Sequence, residues 1–100
     1  MLHTVNKSPF ERNNMDSCLR LAKKGSAILL LEDGVYAAKK GTDVSEKMET
    51  ATKDFLIYVL SPDLAARGID EAQVIDGITP VDYGGFVDLL EKHGTTQSWL

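Results

Sequence analysis

Two stretches of this chain are apolar at every position: Ala27-Ile28-Leu29-Leu30-Leu31 and Phe55-Leu56-Ile57-Tyr58-Val59-Leu60. A strand with one wet face alternates apolar and polar residues. These two do not alternate, so each reads as a strand buried on both faces. Such strands belong to parallel sheets, and parallel neighbours are joined by crossovers that are usually helical and that cover the sheet. An α/β layer architecture follows from these two runs before any other residue is considered.

The rest of the chain reads as the remaining units. Residues 2–5 form a short opening strand. Ser8-Pro9-Phe10-Glu11 carries a helix-start signature, a serine followed by proline and, three residues on, an acid. Asn13-Asn14 offers a second cap, and a helix is expected from about Met15 to Lys24. Met15, Cys18, Leu19 and Ala22 share its apolar stripe. Lys23 and Lys24 suit the negative helix end, and Gly25 suits the position after it. Glu32-Asp33-Gly34 ends the first apolar strand. A short helix over residues 35–40 closes at Gly41, and a polar, weakly amphipathic helix spans residues 44–53. Ser61-Pro62-Asp63 caps a helix of one or two turns ending at Gly68.

Residues 78–82 form a weaker strand, which Pro80 assigns to an edge or a strand start. Tyr83, Phe86, Val87 and Leu90 give the stripe of a last helix, closed by Lys92-His93-Gly94. Ser98-Trp99-Leu100 adds to the sheet or to an interface. Strands alternating with helices at this spacing predict a three-layer α/β/α sandwich with a mostly parallel sheet of four to five strands.

One hundred residues suit one core and not two, so residues 1–100 are expected to form one domain. Hydrophobic residues at 43% and charged residues at 26% exclude a disordered tail, a collagen-like repeat and a coiled-coil rod. The net charge is −4, which argues against direct binding to a nucleic-acid backbone. The charge is uneven. Residues 1–53 hold 9 basic and 7 acidic residues, +2, whereas residues 54–100 hold 2 basic and 8 acidic, −6. Two solvated faces of opposite sign explain this, and so does an acidic half that docks on a basic partner. No apolar run approaches a membrane span, and the opening residues do not read as an export signal. One cysteine excludes an internal disulfide framework and a cysteine-rich zinc module, and the reducing cytoplasm is the expected compartment.

Chemistry in an open parallel sheet gathers at the carboxyl ends of the strands. Those ends carry Asn6-Lys7-Ser8, Glu32-Asp33-Gly34, Ser61-Pro62-Asp63 and Asp82-Tyr83-Gly84. Glu32, Asp33 and Asp63 could in principle hold a hard cation, as in a signalling-type domain, but acids in these places also serve turns and helix caps. A receiver domain carries its acid pair after the first strand, where this chain has Asn6-Lys7. The chain has no glycine-rich phosphate loop, and no metal or cofactor is expected. Cys18 is the one side chain able to carry persulfide sulfur. Its helical neighbours Asn14, Met15, Leu21 and Ala22 are uncharged, a setting for an inert, packed thiol rather than a thiolate. His3 and His93 read as structural, and Trp99 as a packing or subunit-contact residue.

The run Leu2-His3-Thr4-Val5-Asn6-Lys7-Ser8-Pro9-Phe10 resembles the opening of the DsrH/TusB family. Ser17-Cys18-Leu19, Leu31-Glu32-Asp33-Gly34-Val35-Tyr36-Ala37-Ala38 and Tyr58-Val59-Leu60 continue the match. So do Asp63-Leu64, Ala66-Arg67-Gly68, Val81-Asp82-Tyr83, Phe86-Val87-Asp88-Leu89 and Gln97-Ser98-Trp99. The resemblance implies a DsrEFH-like fold. It also implies a heterohexamer with DsrE/TusD-like and DsrF/TusC-like sister subunits, which passes persulfide sulfur to a DsrC/TusE-like acceptor. One branch of that family serves tRNA wobble-uridine 2-thiolation, the other sulfur oxidation. In both, the resemblance assigns the better-established sulfur-accepting cysteine to the DsrE/TusD sister, leaving this subunit an accessory and docking role. The family pattern maps a DsrH-type cysteine onto Cys18, which with residues 5–12 leans to the DsrH side and makes Cys18 the candidate persulfide carrier. The acidic second half and Trp99-Leu100 are the candidate subunit contacts.

Overall fold

The computed structural model describes residues 1–99. Five strands form one sheet: β1 (Leu2–Val5), β2 (Ala27–Leu30), β3 (Leu56–Leu60), β4 (Ile78–Val81) and β5 (Thr96–Trp99). Their spatial order is β4-β3-β2-β1-β5, and every neighbouring pair is parallel. The four helices are α1 (Asn14–Leu21), α2 (Ser45–Ala51), α3 (Ser61–Ala66) and α4 (Tyr83–His93), with 3₁₀ segments at Glu32–Ala38 and Glu71–Gln73.

The order of the strands explains the layers. From β1 to β4 the chain steps in one direction across the sheet, and then it returns past β1 to place β5. Right-handed crossovers put all the earlier connections on one face and the returning α4 on the other. Val5, Ile28, Leu30, Ile57, Val59 and Ile78 therefore pack under α1, α2, α3 and the first 3₁₀ segment, through Met15, Cys18, Val35, Met48 and Leu64. On the opposite face Leu2, Ala27 and Leu29, with Tyr58 and Val81, pack with Leu89 and Phe86 of α4. The three-layer α/β/α sandwich expected from the sequence is present, with a thick layer and a thin one.

Several boundaries move. Ser8 begins a turn and not a helix: its carbonyl accepts from Glu11 and Arg12, and its hydroxyl from the Phe10 amide. Helix α1 stops at Leu21, because Ala22 is already extended (φ −69°, ψ 144°). Lys23 and Lys24 then sit in a turn, with the Gly25 amide donating to the Asp54 carbonyl at 2.7 Å. The helix expected over residues 35–40 is a 3₁₀ segment that begins earlier, at Glu32. β2 is buried throughout, as its run of apolar residues requires, but in β3 Leu56 is exposed and Tyr58 half-buried. Both lie on the thin side, where one helix cannot cover five strands. The same shortage corrects the stripe of α4. Its buried contacts are Phe86 and Leu89, whereas Tyr83, Val87 and Leu90 are exposed. β4 is an edge strand, as Pro80 requires, and β5 forms the other edge. Leu100 lies outside the described residues.

Candidate functional site

Cys18 lies in α1 with no exposed surface, inside the cluster that includes Met15, Val5, Ile28 and Leu30. Removal from water penalises the thiolate, and the thiol is pushed up to about 12. At neutral pH the thiol therefore keeps its proton. The helix that carries Cys18 thus turns it inward, as its uncharged helical neighbours require.

His3 and Trp99 lie on the same face of adjacent strands. The Trp99 indole Nε1 donates to His3 Nδ1 at 3.1 Å, and the ring centres are 6.1 Å apart. His3 accepts through Nδ1, so the neutral ring carries its proton on Nε2. Burial holds the His3 pKa below the usual value, and the nearby N-terminal amine adds to this. Thr4 and Ser98, one register position on and on the other face, share a hydroxyl hydrogen bond of 3.1 Å. Trp99 is thereby occupied within the sheet and its main core. His93 closes α4, and its Nε2 is buried without a partner among the described residues. Its pKa is lowered by burial first, then by the N-terminal amine and Lys92.

At the carboxyl ends of β2 and β3 the fold assembles residues that are far apart in sequence. Glu32 has φ +49°, a left-handed backbone uncommon outside glycine. Its amide donates to Asp63 Oδ2 at 2.6 Å. Arg67 Nε donates to Asp33 Oδ1 at 2.9 Å, and another guanidinium nitrogen donates to the Asp63 carbonyl at 3.2 Å. Gly34 completes the corner. A side chain there would land on the Val5 carbonyl oxygen, so only glycine lets the 3₁₀ segment lie this close to β1.

Sequence reasoning placed Glu32, Asp33 and Asp63 at one sheet edge and favoured turns and helix caps over a cation for them. The structure brings all three together but engages Asp63 with a backbone amide and Asp33 with Arg67. Among the described residues no group of three His, Cys, Asp or Glu could hold a metal ion. Arg67 is the member of this network that the acids alone did not point to. Its signal was the block Ala66-Arg67-Gly68, which the structure sets against Asp33. No helix among the described residues is long and apolar enough to cross a membrane.

Residues 7–96 match the family model described as DsrH like protein. The chain is 39% identical over 99 residues to Protein TusB of Shigella flexneri, covering 99% of this chain and 100% of that one. It is 40% identical, with the same coverage, to Protein TusB of Pectobacterium parmentieri. Among solved structures it resembles a protein of unknown function, MTH1491, from Methanobacterium thermoautotrophicum. The TM-score is 0.72 at 15% identity, over 97% of this chain and 96% of that one. It also resembles protein Tm0979 from Thermotoga maritima, with a TM-score of 0.64 at 23% identity over 95% and 97% of the two chains. The two solved structures share the fold, and the family model with the full-length relatives shows that this chain belongs to the DsrH/TusB family.

Proposed function

We propose that this chain is an accessory, non-catalytic subunit of a cytoplasmic persulfide relay. In this reading residues 1–100 act as one domain. They assemble with DsrE/TusD-like and DsrF/TusC-like sisters in a heterohexamer that passes sulfur to a DsrC/TusE-like acceptor. The observation that carries the non-catalytic part is the burial of Cys18. A sulfur carrier needs an exposed thiol whose thiolate is favoured, and Cys18 is neither. Full-length similarity to proteins named TusB supports the tRNA-thiolation branch over the sulfur-oxidation branch toward which Cys18 and residues 5–12 lean.

The test is co-expression of the three chains followed by size-exclusion chromatography. One large species with the chains in equal amounts is expected; a chain that stays monomeric beside folded sisters overturns the docking role. Loading the complex with a sulfur donor and reading each subunit by mass spectrometry separates the two places for the sulfur. Added sulfur on a sister cysteine with Cys18 unmodified is expected. Sulfur on Cys18 itself, lost in Cys18→Ser, would make this chain the carrier. Loss of 2-thiouridine from tRNA on deletion of the chain, restored by Cys18→Ala, would place the complex in the tRNA branch.

A further inference from the structure

An aspartate followed by glycine is a place where a peptide chain readily cyclises on itself. The glycine amide nitrogen attacks the carboxyl carbon of the aspartate side chain, and a residue without Cβ leaves that approach open. The chain has two such pairs, Asp33-Gly34 and Asp76-Gly77. The fold treats them in opposite ways. At the first, the Gly34 amide donates to the Leu31 carbonyl at 2.9 Å, and Asp33 Oδ1 accepts from Arg67 Nε at 2.9 Å. Gly34 is also buried against the Val5 carbonyl. Both reacting groups are engaged there, and close packing opposes the backbone rotation that would bring them together.

Asp76-Gly77 has none of these restraints. The Asp76 side chain is fully exposed, and its ion-pair partner Lys40 stands 3.8 Å away and is itself half exposed, a pairing that water weakens. Gly77 is exposed too, and among the described residues its amide donates to no group. The two residues form the turn that leads into β4. It is closed by one bond, from the Ile78 amide to the Ile75 carbonyl at 3.1 Å, with Gly77 at φ +96°. Cyclisation needs a rotation about the Cα–C bond of Asp76. Opposing that rotation are one turn bond and one water-exposed ion pair, the pattern of a segment that opens locally.

We propose that Asp76-Gly77 is a site of spontaneous backbone modification, at which the folded chain converts to an isoaspartyl linkage. The Gly77 nitrogen bonds to Asp76 Cγ. The carboxyl hydroxyl and the amide proton leave together as water, and a succinimide ring results. Water then adds back across one of the two ring C–N bonds. Opening at the side-chain carbonyl restores aspartate. Opening at the main-chain carbonyl leaves Gly77 joined through Cγ and frees the α-carboxylate of residue 76. The sequence needs no oxidant or reductant, and the water lost in the first step is regained in the second. The main chain becomes one carbon longer in the turn that sets Ile78 against Ile57, so the edge strand β4 loosens at its start. The freed α-carboxylate is the group that isoaspartyl methyltransferases esterify, so an enzyme of that class is the partner this turn recruits.

The test ages the purified full chain for weeks at neutral pH, folded and in urea. Isoaspartate is read by methyl transfer from labelled S-adenosylmethionine with an isoaspartyl methyltransferase, and located by peptide mapping. In the folded chain residue 76 is expected to convert at least about tenfold faster than residue 33. In urea the two are expected to convert at similar rates, because the fold no longer shields Asp33. Asp76→Glu, which would have to close a larger ring, is expected to keep the melting temperature and lose the signal at residue 76. Asp76→Asn, which releases ammonia in place of water, is expected to raise it. Equal conversion of residues 33 and 76 in the folded chain, or none at residue 76, overturns the proposal. Methyl transfer undiminished in Asp76→Glu overturns the assignment to this turn.

Discussion

Cys18 and His3 are both buried next to the sheet, and burial acts on them in opposite senses. For the thiol it favours the proton; for the imidazole it favours the proton's absence. The Cys18 thiol is therefore expected to resist a soluble disulfide reagent in the native chain and to react at an ordinary rate in urea. Fast native labelling would mean that α1 opens. Cys18→Ser puts a hydroxyl in an apolar cluster and is expected to cost about 1–3 kcal/mol in a denaturant melt. His3 has a folded pKa below its unfolded value near 6.5. Its contribution to stability is full above that value and is lost as pH falls through the folded pKa. Protonation also removes the Nδ1 acceptor of the Trp99 indole, so the same pH fall is expected to change Trp99 fluorescence. In His3→Phe this part of the pH dependence of stability should vanish; a melt series from pH 7.5 to 5 checks it.

The elements show where the sequence could be read and where it could not. β2 and β3 were legible because an unbroken apolar run has few other uses. The proline in β4 and the glycine after α4 were legible because each residue type suits its position for a local reason. The C-terminal end of α1 and the 3₁₀ character of Glu32–Ala38 were not, because distant groups set them. The Gly25 amide goes to Asp54, and the Glu32 amide goes to Asp63. Nor could periodicity choose between the rows of α4, since Tyr83, Val87 and Leu90 are as apolar as Phe86 and Leu89. Of the candidate site, the inward thiol was legible from the neighbours of Cys18, whereas the meeting of Asp33 with Arg67 depends on two separate crossovers. Two substitutions probe these elements by chemical denaturation. Leu89→Ala is expected to cost about 2–4 kcal/mol and Val87→Ala to stay within about 0.5 kcal/mol. Gly34→Ala forces the 3₁₀ segment away from β1 and is expected to cost at least about 1–3 kcal/mol.

Across the sheet as a unit, protection falls from the middle outward. β2 has neighbours on both sides and cover on both faces, while β4 and β5 are edges. Amide hydrogen exchange is expected to be slowest in β2, intermediate in β1 and β3, and fastest in β4 and β5. Equal rates in β2 and β5 would mean that the sheet opens as one. The pairing of β1 with β5 has a further consequence, one of timing. His3 and Trp99 are 96 positions apart, so a ribosome working at about 5–20 residues per second makes β1 roughly 5–20 s before its neighbour exists. Throughout that interval one side of the first strand offers bare amides and carbonyls to whatever is near. The sheet can close only when the last strand arrives.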